Sequence, residues 1–307
     1  MLTKTDIIIF STIAVFIIGA VVFWKDVNNL FESKTGSQLK IKNDKNPEKN
    51  KLNTTSVKII QKWEMPDYLK EISGIAHLND GRFACVQDEL GKIFIFNTGN
   101  NTIEKEISFG SPGDYEGIAV VGTTAYIIRA DGKLFEVSEY LGDKPAVVMH
   151  TTSLTEKHDV EGLCYDIKNS RLLLTIKENE QDTKDYKGIY AFDIASKNLA
   201  ASPVHKINLT HGIWNDVKKK DRIKPSDIDV HPATGDLYIL DGPGSQLLVM
   251  GSDGTIKNLY QLNNSDFPQP EGISFTDTGD LYISNEGKGG PGNFVKVFIE
   301  IGTPAAE

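Results

Sequence analysis

The sequence predicts an all-β fold: a five-bladed β-propeller closed by an N-terminal strand and preceded by a single transmembrane helix. Three observations carry that expectation. One short pattern is written five times, each copy holds several short strands, and the strand that the last copy lacks is found ahead of the first.

The copies open with "EISGIAHLNDGRFACVQDELGK" at 71, "DYEGIAVVGTTAYIIRADGK" at 114, "DVEGLCYDIKNSRLLLTIKENE" at 159, "KPSDIDVHPATGDLYILDGPG" at 224 and "QPEGISFTDTGDLYISNEGKGGPG" at 269. Each gives an alternating first strand, a turn rich in Asp, Asn and Gly, and a second strand such as "RFACVQ" or "DLYILD". A third strand follows ("KIFIFN", "KLFEVS", "GIYAFDI", "QLLVMG", "VKVFIE"), then a weaker fourth ("TIEKEISF", "AVVMHT", "PVHKINL", "TIKNLYQL"). The position that opens the pattern is Ser73, Glu116, Glu161, Ser226 and Glu271, at intervals of 43, 45, 65 and 45 residues. Four antiparallel strands at this period describe a propeller blade. The 65-residue interval is read as one insertion, a surface loop centred on residues 210–222. A sixth blade would have to come from residues 195–223, a segment too short and too polar.

The fifth copy ends after its third strand, and "SVKIIQKW", Ser56–Trp63, has the period to supply the fourth. Closure by that strand removes the two free sheet edges of an open ring. The expected organisation is an anchor over 1–25, a polar linker over 26–55 rich in Lys, Asn, Ser and Thr, the propeller over 56–301 and a short tail over 302–307.

The anchor is "IIIFSTIAVFIIGAVVFW", Ile7–Trp24, a run without charge that is long enough for a membrane helix. It ends in an interfacial Trp and lacks a small-x-small cleavage site, so an uncleaved anchor to the membrane is expected. Only Lys4 precedes it, while Lys25, Lys34, Lys40 and further lysines follow, which by charge alone favours a cytoplasmic bulk. The six-residue leader suits an exported bulk, and an extracytoplasmic propeller is the expectation adopted. The net charge of −9 excludes a general nucleic-acid binder, which needs clustered Lys and Arg. Cys85 and Cys164 make no disulfide framework or zinc site, and both read as buried small hydrophobes.

In a propeller the innermost strand of each blade starts at one mouth of the central channel, and the antiparallel second strand ends there. Glu116, Glu161 and Glu271 are therefore expected round one opening, with Ser73 and Ser226 at the equivalent places. Asp227 would replace the missing Glu of its blade. Ends of second strands would add Asp88, Glu89, Arg129, Glu178, Asp241, Asn285 and Glu286. Carboxylates crowded round a channel repel one another unless a cation sits among them. Oxygen ligands without His or Cys favour Ca2+, with Glu116, Glu161, Glu271 and Asp227 as ligands and Asn285 as a neutral one. The alternative is that each Glu accepts backbone N–H groups of the next blade and serves only the ring.

The quoted repeats together with the N-terminal anchor resemble the SdiA-regulated family of bacterial proteins, distantly similar to NHL-repeat propellers, over about residues 56–300. The resemblance implies a membrane-anchored or exported five-bladed propeller and a bound calcium ion, and it implies no particular activity. Two functional readings follow. One is a non-enzymatic binding module that presents its mouth to an envelope protein or a small ligand. The other is a calcium-dependent hydrolase of lactones or phosphoesters, with His158, Glu178 or Glu286 as base. No nucleophile elbow or Walker spacing is present, and "NEGKGGPGN" at 285–293 reads as a hairpin loop.

Overall fold

A strand that lies between two sheets needs apolar residues on both faces, and the second and third strands of these repeats have them. In the computed structural model, which describes residues 57–300 apart from 216, 220 and 221, such runs form twenty-one strands. β1 (Val57–Glu64) comes first. Blade 1 holds β2 (Ile72–His77), β3 (Arg82–Gln87), β4 (Lys92–Asn97) and β5 (Thr102–Ser108). Blade 2 holds β6 (Tyr115–Val121), β7 (Thr124–Arg129), β8 (Lys133–Ser138) and β9 (Ala146–Thr151). Blade 3 holds β10 (Val160–Asp166), β11 (Arg171–Ile176), β12 (Tyr186–Asp193), β13 (Asn198–Leu199) and β14 (His205–Asn208). Blade 4 holds β15 (Pro225–Val230), β16 (Leu237–Asp241), β17 (Gln246–Met250) and β18 (Ile256–Gln261). Blade 5 holds β19 (Pro270–Phe275), β20 (Leu281–Asn285) and β21 (Asn293–Ile299), and β1 pairs antiparallel with β21 to complete it. The chain is thus an all-β, five-bladed propeller closed by its N-terminal strand.

Alternate side chains of one strand go to opposite neighbours. In blade 1, Ala84, Val86, Ile93 and Ile95 pack towards blade 2, while Phe83, Cys85, Phe94 and Phe96 pack towards blade 5. Each junction between blades has its own apolar cluster, five in all among the described residues. Both cysteines are buried in these clusters. The turns between first and second strands need left-handed backbone, which Gly81 (φ +72°) and Gly279 (φ +89°) adopt without a side-chain clash.

The junction between blades 5 and 1 closes the ring and is aromatic. Trp63 of β1 stacks on Tyr282 at 6.2 Å and meets Phe294 edge-on at 6.0 Å, and Phe83 of blade 1 lies 4.7 and 4.8 Å from the same two rings. The Trp63 indole N–H donates to the Thr98 carbonyl at 2.9 Å, so β1 is tied to blade 1 as well as to its own sheet. The 285–293 segment is the hairpin between β20 and β21. It packs back on the start of the ring, with Met65 N–H donating to Gly292 O at 2.8 Å.

Blade 3 departs from the expectation of one surface insertion. The extra length is divided between the 177–185 connection and the 209–224 segment, and β12 takes two short outer partners, β13 and β14. The second segment is not a mere surface loop. Trp214 is fully buried and packs with Ile223 between blades 3 and 4, its indole N–H donating to Asn208 O at 2.8 Å. A large aromatic with one donor has more to gain from a core pocket than from water. The expected anchor, linker and tail lie outside the described residues, among which no helix is long and apolar enough to cross a membrane.

If β1 closes the ring through Trp63, Trp63→Ala should cost about 3–5 kcal/mol, lowering the denaturant midpoint of the full chain. A midpoint within error of the wild type would show that the aromatic junction does not hold the ring.

Candidate functional site

The repeated motif residue has a common backbone cause. At the head of every innermost strand the register with the second strand slips: between Ile72 and Ile75, Tyr115 and Gly117, Val160 and Leu163, Pro225 and Asp227, and Pro270 and Gly272. Ser73, Glu116, Glu161, Ser226 and Glu271 fall inside these five bulges. A bulge sets two residues against one and re-aims the extra side chain. It is the device that frees the motif residue from the normal alternation of its strand.

The residue after it is where the blades touch. A Cβ on Gly74 would stand 2.7 Å from the Gly117 Cα, one on Gly117 2.8 Å from the Glu161 carbonyl oxygen, and one on Gly162 2.9 Å from the Asp227 Cα. These approaches require glycine. Blade 4 has Asp227 in the glycine's place, fully buried. Its Oδ1 accepts the Leu163 N–H at 3.2 Å and its Oδ2 the Ile273 N–H at 2.8 Å, so it bonds to both neighbouring blades. The Ser226 hydroxyl adds a bond to Pro270 O at 3.0 Å. The sequence reading gave Asp227 to the metal, but the structure gives both its oxygens to backbone amides.

At the mouth, Glu116, Glu161 and Glu271 lie within electrostatic reach of one another, Glu161 buried and the other two half-buried. Burial is the main cause that raises all three, with repulsion from the other carboxylates added. Glu161 is pushed up to about 8 and Glu271 to about 7. The counter-charge at the mouth is Lys177, whose Nζ lies 2.7 Å from Glu161 Oε1 and which is held well above the ordinary lysine value by Glu161 against its own burial. Glu271 rests on Gly242, where a Cβ would be 2.9 Å from its Oε1.

The second strands end at Gln87, Arg129, Ile176, Asp241 and Asn285, which pair with the residues that precede the bulges. One position further on stand Asp88, Ala130, Lys177, Gly242 and Glu286. In blade 3 the equivalent residue is therefore Lys177, and the predicted Glu178 lies one step beyond, exposed. Counting strand positions from Ile176 would have found the lysine. Arg129 is committed to Asp131 by two bonds of 2.9 and 2.7 Å. Asp241 accepts Gly244 N–H at 2.8 Å, and burial lifts it to about 6. Asn285 is fully buried. Its amide donates to Asn293 Oδ1 at 3.0 Å while its own Oδ1 has no partner. Asp88 Oδ1 is likewise buried and unpartnered, and burial with repulsion from Glu71, Glu286 and Glu89 takes Asp88 to about 6. Glu286 accepts from Gln269, while the Ser73 hydroxyl makes a 3.5 Å contact with Glu71 O and the Ser73 carbonyl accepts the Ser284 hydroxyl at 2.8 Å. His158, one of the candidate bases, is buried, and its Nδ1 accepts the Thr155 N–H at 3.0 Å.

As placed, no three Asp, Glu, His or Cys side chains among the described residues converge to hold a metal ion. The donor chemistry nevertheless fits a hard cation. When ionised, Glu116, Glu161 and Glu271 outnumber the one lysine bonded among them, Lys177 on Glu161, and the unpartnered Asn285 oxygen is a neutral donor.

The raised acids have a pH consequence. A carboxyl held above its unfolded value contributes stability below about pH 4.5 that is lost as the pH rises through its folded value. For Glu271 that window runs up to about 7. In chelator, wild type should lose up to about 3 kcal/mol relative to Glu271→Gln between pH 4.5 and 8. A pH-independent difference between their denaturation midpoints would contradict the burial of a titrating acid here.

One solved structure gives the fold independent support. The crystal structure of Myxococcus xanthus glutaminyl cyclase is similar, with a TM-score of 0.55, 15% identity, and 80% of this chain and 97% of that one covered. The PQQ-bound aldose sugar dehydrogenase of Streptomyces coelicolor follows at a TM-score of 0.49 and 14% identity, covering 81% of this chain and 99% of that one. At such identities the likeness concerns the fold alone. No curated protein matches the sequence. The model of the family described as SdiA-regulated matches residues 48–297, nearly the whole propeller, and the chain belongs to the SdiA-regulated family.

Proposed function

We propose that this propeller is a binding module, tethered to the membrane through residues 1–25 and lying outside the cytoplasm, whose motif-side mouth takes one Ca2+. The observation that carries the reading is the set of three largely desolvated glutamates within electrostatic reach of one another, with Lys177 bonded to Glu161 alone and the unpartnered Asn285 Oδ1 on the strand end that pairs with Pro270, the neighbour of Glu271. Glu116, Glu161 and Glu271 would hold the ion with Asn285 Oδ1. Asp227 is left out, because both of its oxygens already hold backbone amides. The ion would supply the charge that the desolvated carboxylates lack, drawing them together and releasing Lys177 from Glu161. Lys177 stands in for part of that charge when no cation is bound. A mouth organised in this way offers an envelope protein or a small ligand a rigid, calcium-dependent surface.

The hydrolase alternative needs a free base at the same mouth. Of its three candidates, His158 is engaged through Nδ1, Glu286 is bonded to Gln269, and Glu178 lies outside the ring of strand ends. No observation favours it over binding.

Calcium that binds the folded state alone adds about 2.7 kcal/mol at a hundredfold excess over its dissociation constant. For a domain of this size that is a rise in Tm of roughly 5–11 °C. Glu161→Gln keeps the side-chain shape and removes one charge, so its melting curve should respond to calcium much less than wild type. If wild type melts at the same temperature in calcium and in chelator, the metal reading fails. If Glu161→Gln loses the same stability in both, Glu161 serves only the ring. Placement outside the cytoplasm is tested separately: protease added to intact spheroplasts should digest the propeller, and protection would reverse the topology.

A further inference from the structure

The outermost strand of each blade presents a row of unpaired backbone groups to solvent, an invitation to pair with another strand. Proteins blunt such edges with charge, with bulges or with very short strands. Four of the five edges here are blunted in these ways. β1 carries Lys58 and Lys62 and a register slip between Ile59 and Gln61. β5 carries Glu104, Lys105 and Glu106, with a slip between Ile95 and Phe96 in the strand it pairs with. Blade 3 ends in the two- and four-residue pieces β13 and β14, the second with Lys206. β18 carries Lys257, and its pairing slips between Val249 and Met250.

The edge of blade 2 has none of these devices. β9 reads Ala-Val-Val-Met-His-Thr, without Lys, Arg, Asp or Glu. It pairs with β8 in unbroken register from Lys133–Thr151 to Ser138–Ala146. Apolar residues are exposed on both of its faces: Val147 is 40% exposed, Val148 52% and Met149 50%. A regular, neutral, apolar edge is the kind that negative design removes unless it is used.

We infer that β9 is a self-association edge, at which a second copy of this chain adds its own β9 antiparallel to form a two-fold dimer. A two-fold contact requires a self-complementary patch. Antiparallel pairing centred on Val148 satisfies this. Val147 then faces Met149 of the second copy, His150 faces Ala146, and the charged pair Asp143 and Lys144 falls opposite Ser153 and Thr152, so no like charges oppose. Pro145 ends the strand and limits the pairing to this segment. A six-residue strand pair alone falls short of the roughly 1,200–2,000 Å2 of a stable interface, so the dimer forms reversibly with concentration.

The test uses the full chain in detergent. Opposed residues of an antiparallel pair have Cα atoms about 4.5 or 5.5 Å apart, within disulfide reach, and the native cysteines are buried. Under mild oxidation Val148→Cys should give a covalent dimer, while Lys105→Cys on the edge of blade 1 should not. Val148→Lys, at an exposed position, should leave the melting temperature unchanged and raise the dimer dissociation constant measured by analytical ultracentrifugation about tenfold or more. The proposal is overturned by equal cross-linking at 105 and 148, by no cross-linking at 148, or by a wild-type chain that stays monomeric up to about 100 μM, a weak-interaction limit. Dimerisation unaffected by Val148→Lys would place the contact elsewhere and would also overturn it.

Discussion

Everything at the mouth depends on how closely five innermost strands can be drawn round one axis. Their separation is set by backbone meeting backbone, at Gly74, Gly117 and Gly162, where no side chain can be inserted. Such proximity leaves the strand heads no room for a regular pleat. Each relieves the crowding by a bulge at the residue before the glycine. The pairing of Glu with Gly in the motif is therefore one constraint seen twice: the glycine permits the approach, and the bulge that goes with it turns the Glu towards the opening. A purely structural reading explains the glycine fully. It leaves the choice of Glu unexplained, since Ser occupies the same bulge in blades 1 and 4.

Blade 4 shows how the constraint can be met by other chemistry. Asp227 replaces close contact by hydrogen bonds to the backbone of both flanking blades. Burying a carboxyl raises its pKa strongly, and the amides that it accepts work against that cost. Asp229, two residues on, repeats the device with Phe275 N–H at 2.7 Å. The weld is therefore polar on the side of blade 4, mainly aromatic between blades 5 and 1, and a mixture of aliphatic and aromatic side chains elsewhere. This unevenness follows from one sequence having to close a ring that its repeats alone would leave open.

The blade count, the closing strand and the common mouth were legible because each depends on period and alternation, which a single sequence displays. Blade 3 was only partly legible. Its extra residues are polar enough to read as surface, and the burial of Trp214 rests on a pocket made by two blades that no local pattern reveals. The glutamates were legible because they recur. Lys177 was not, because it occurs in one blade, and the adjacent Glu178 looked more like the other mouth residues. The backbone bonds of Asp227 were not legible, since a sequence shows that an acid is present but not which amides face it. The edge at β9 was hidden for another reason: it is conspicuous only when five edges are compared for what they lack.

The distribution of charge round the ring has its own logic. Among five places on a circle only two can be occupied without any being neighbours, so a third carboxylate must sit beside another. Glu271 has the serine blades 4 and 1 on either side. Glu116 and Glu161 are the adjacent pair, and Glu161 heads the repulsions felt by Glu116. Lys177 reaches into the mouth from blade 3, on the oxygen of Glu161, at the point where the crowding is greatest. An arrangement meant only to neutralise acid would place one cation per carboxylate or replace the glutamates by serine, as blades 1 and 4 do. Keeping three acids with one lysine bonded among them leaves the glutamates short of positive partners at a cost in desolvation, and that shortfall is what a divalent cation would complete.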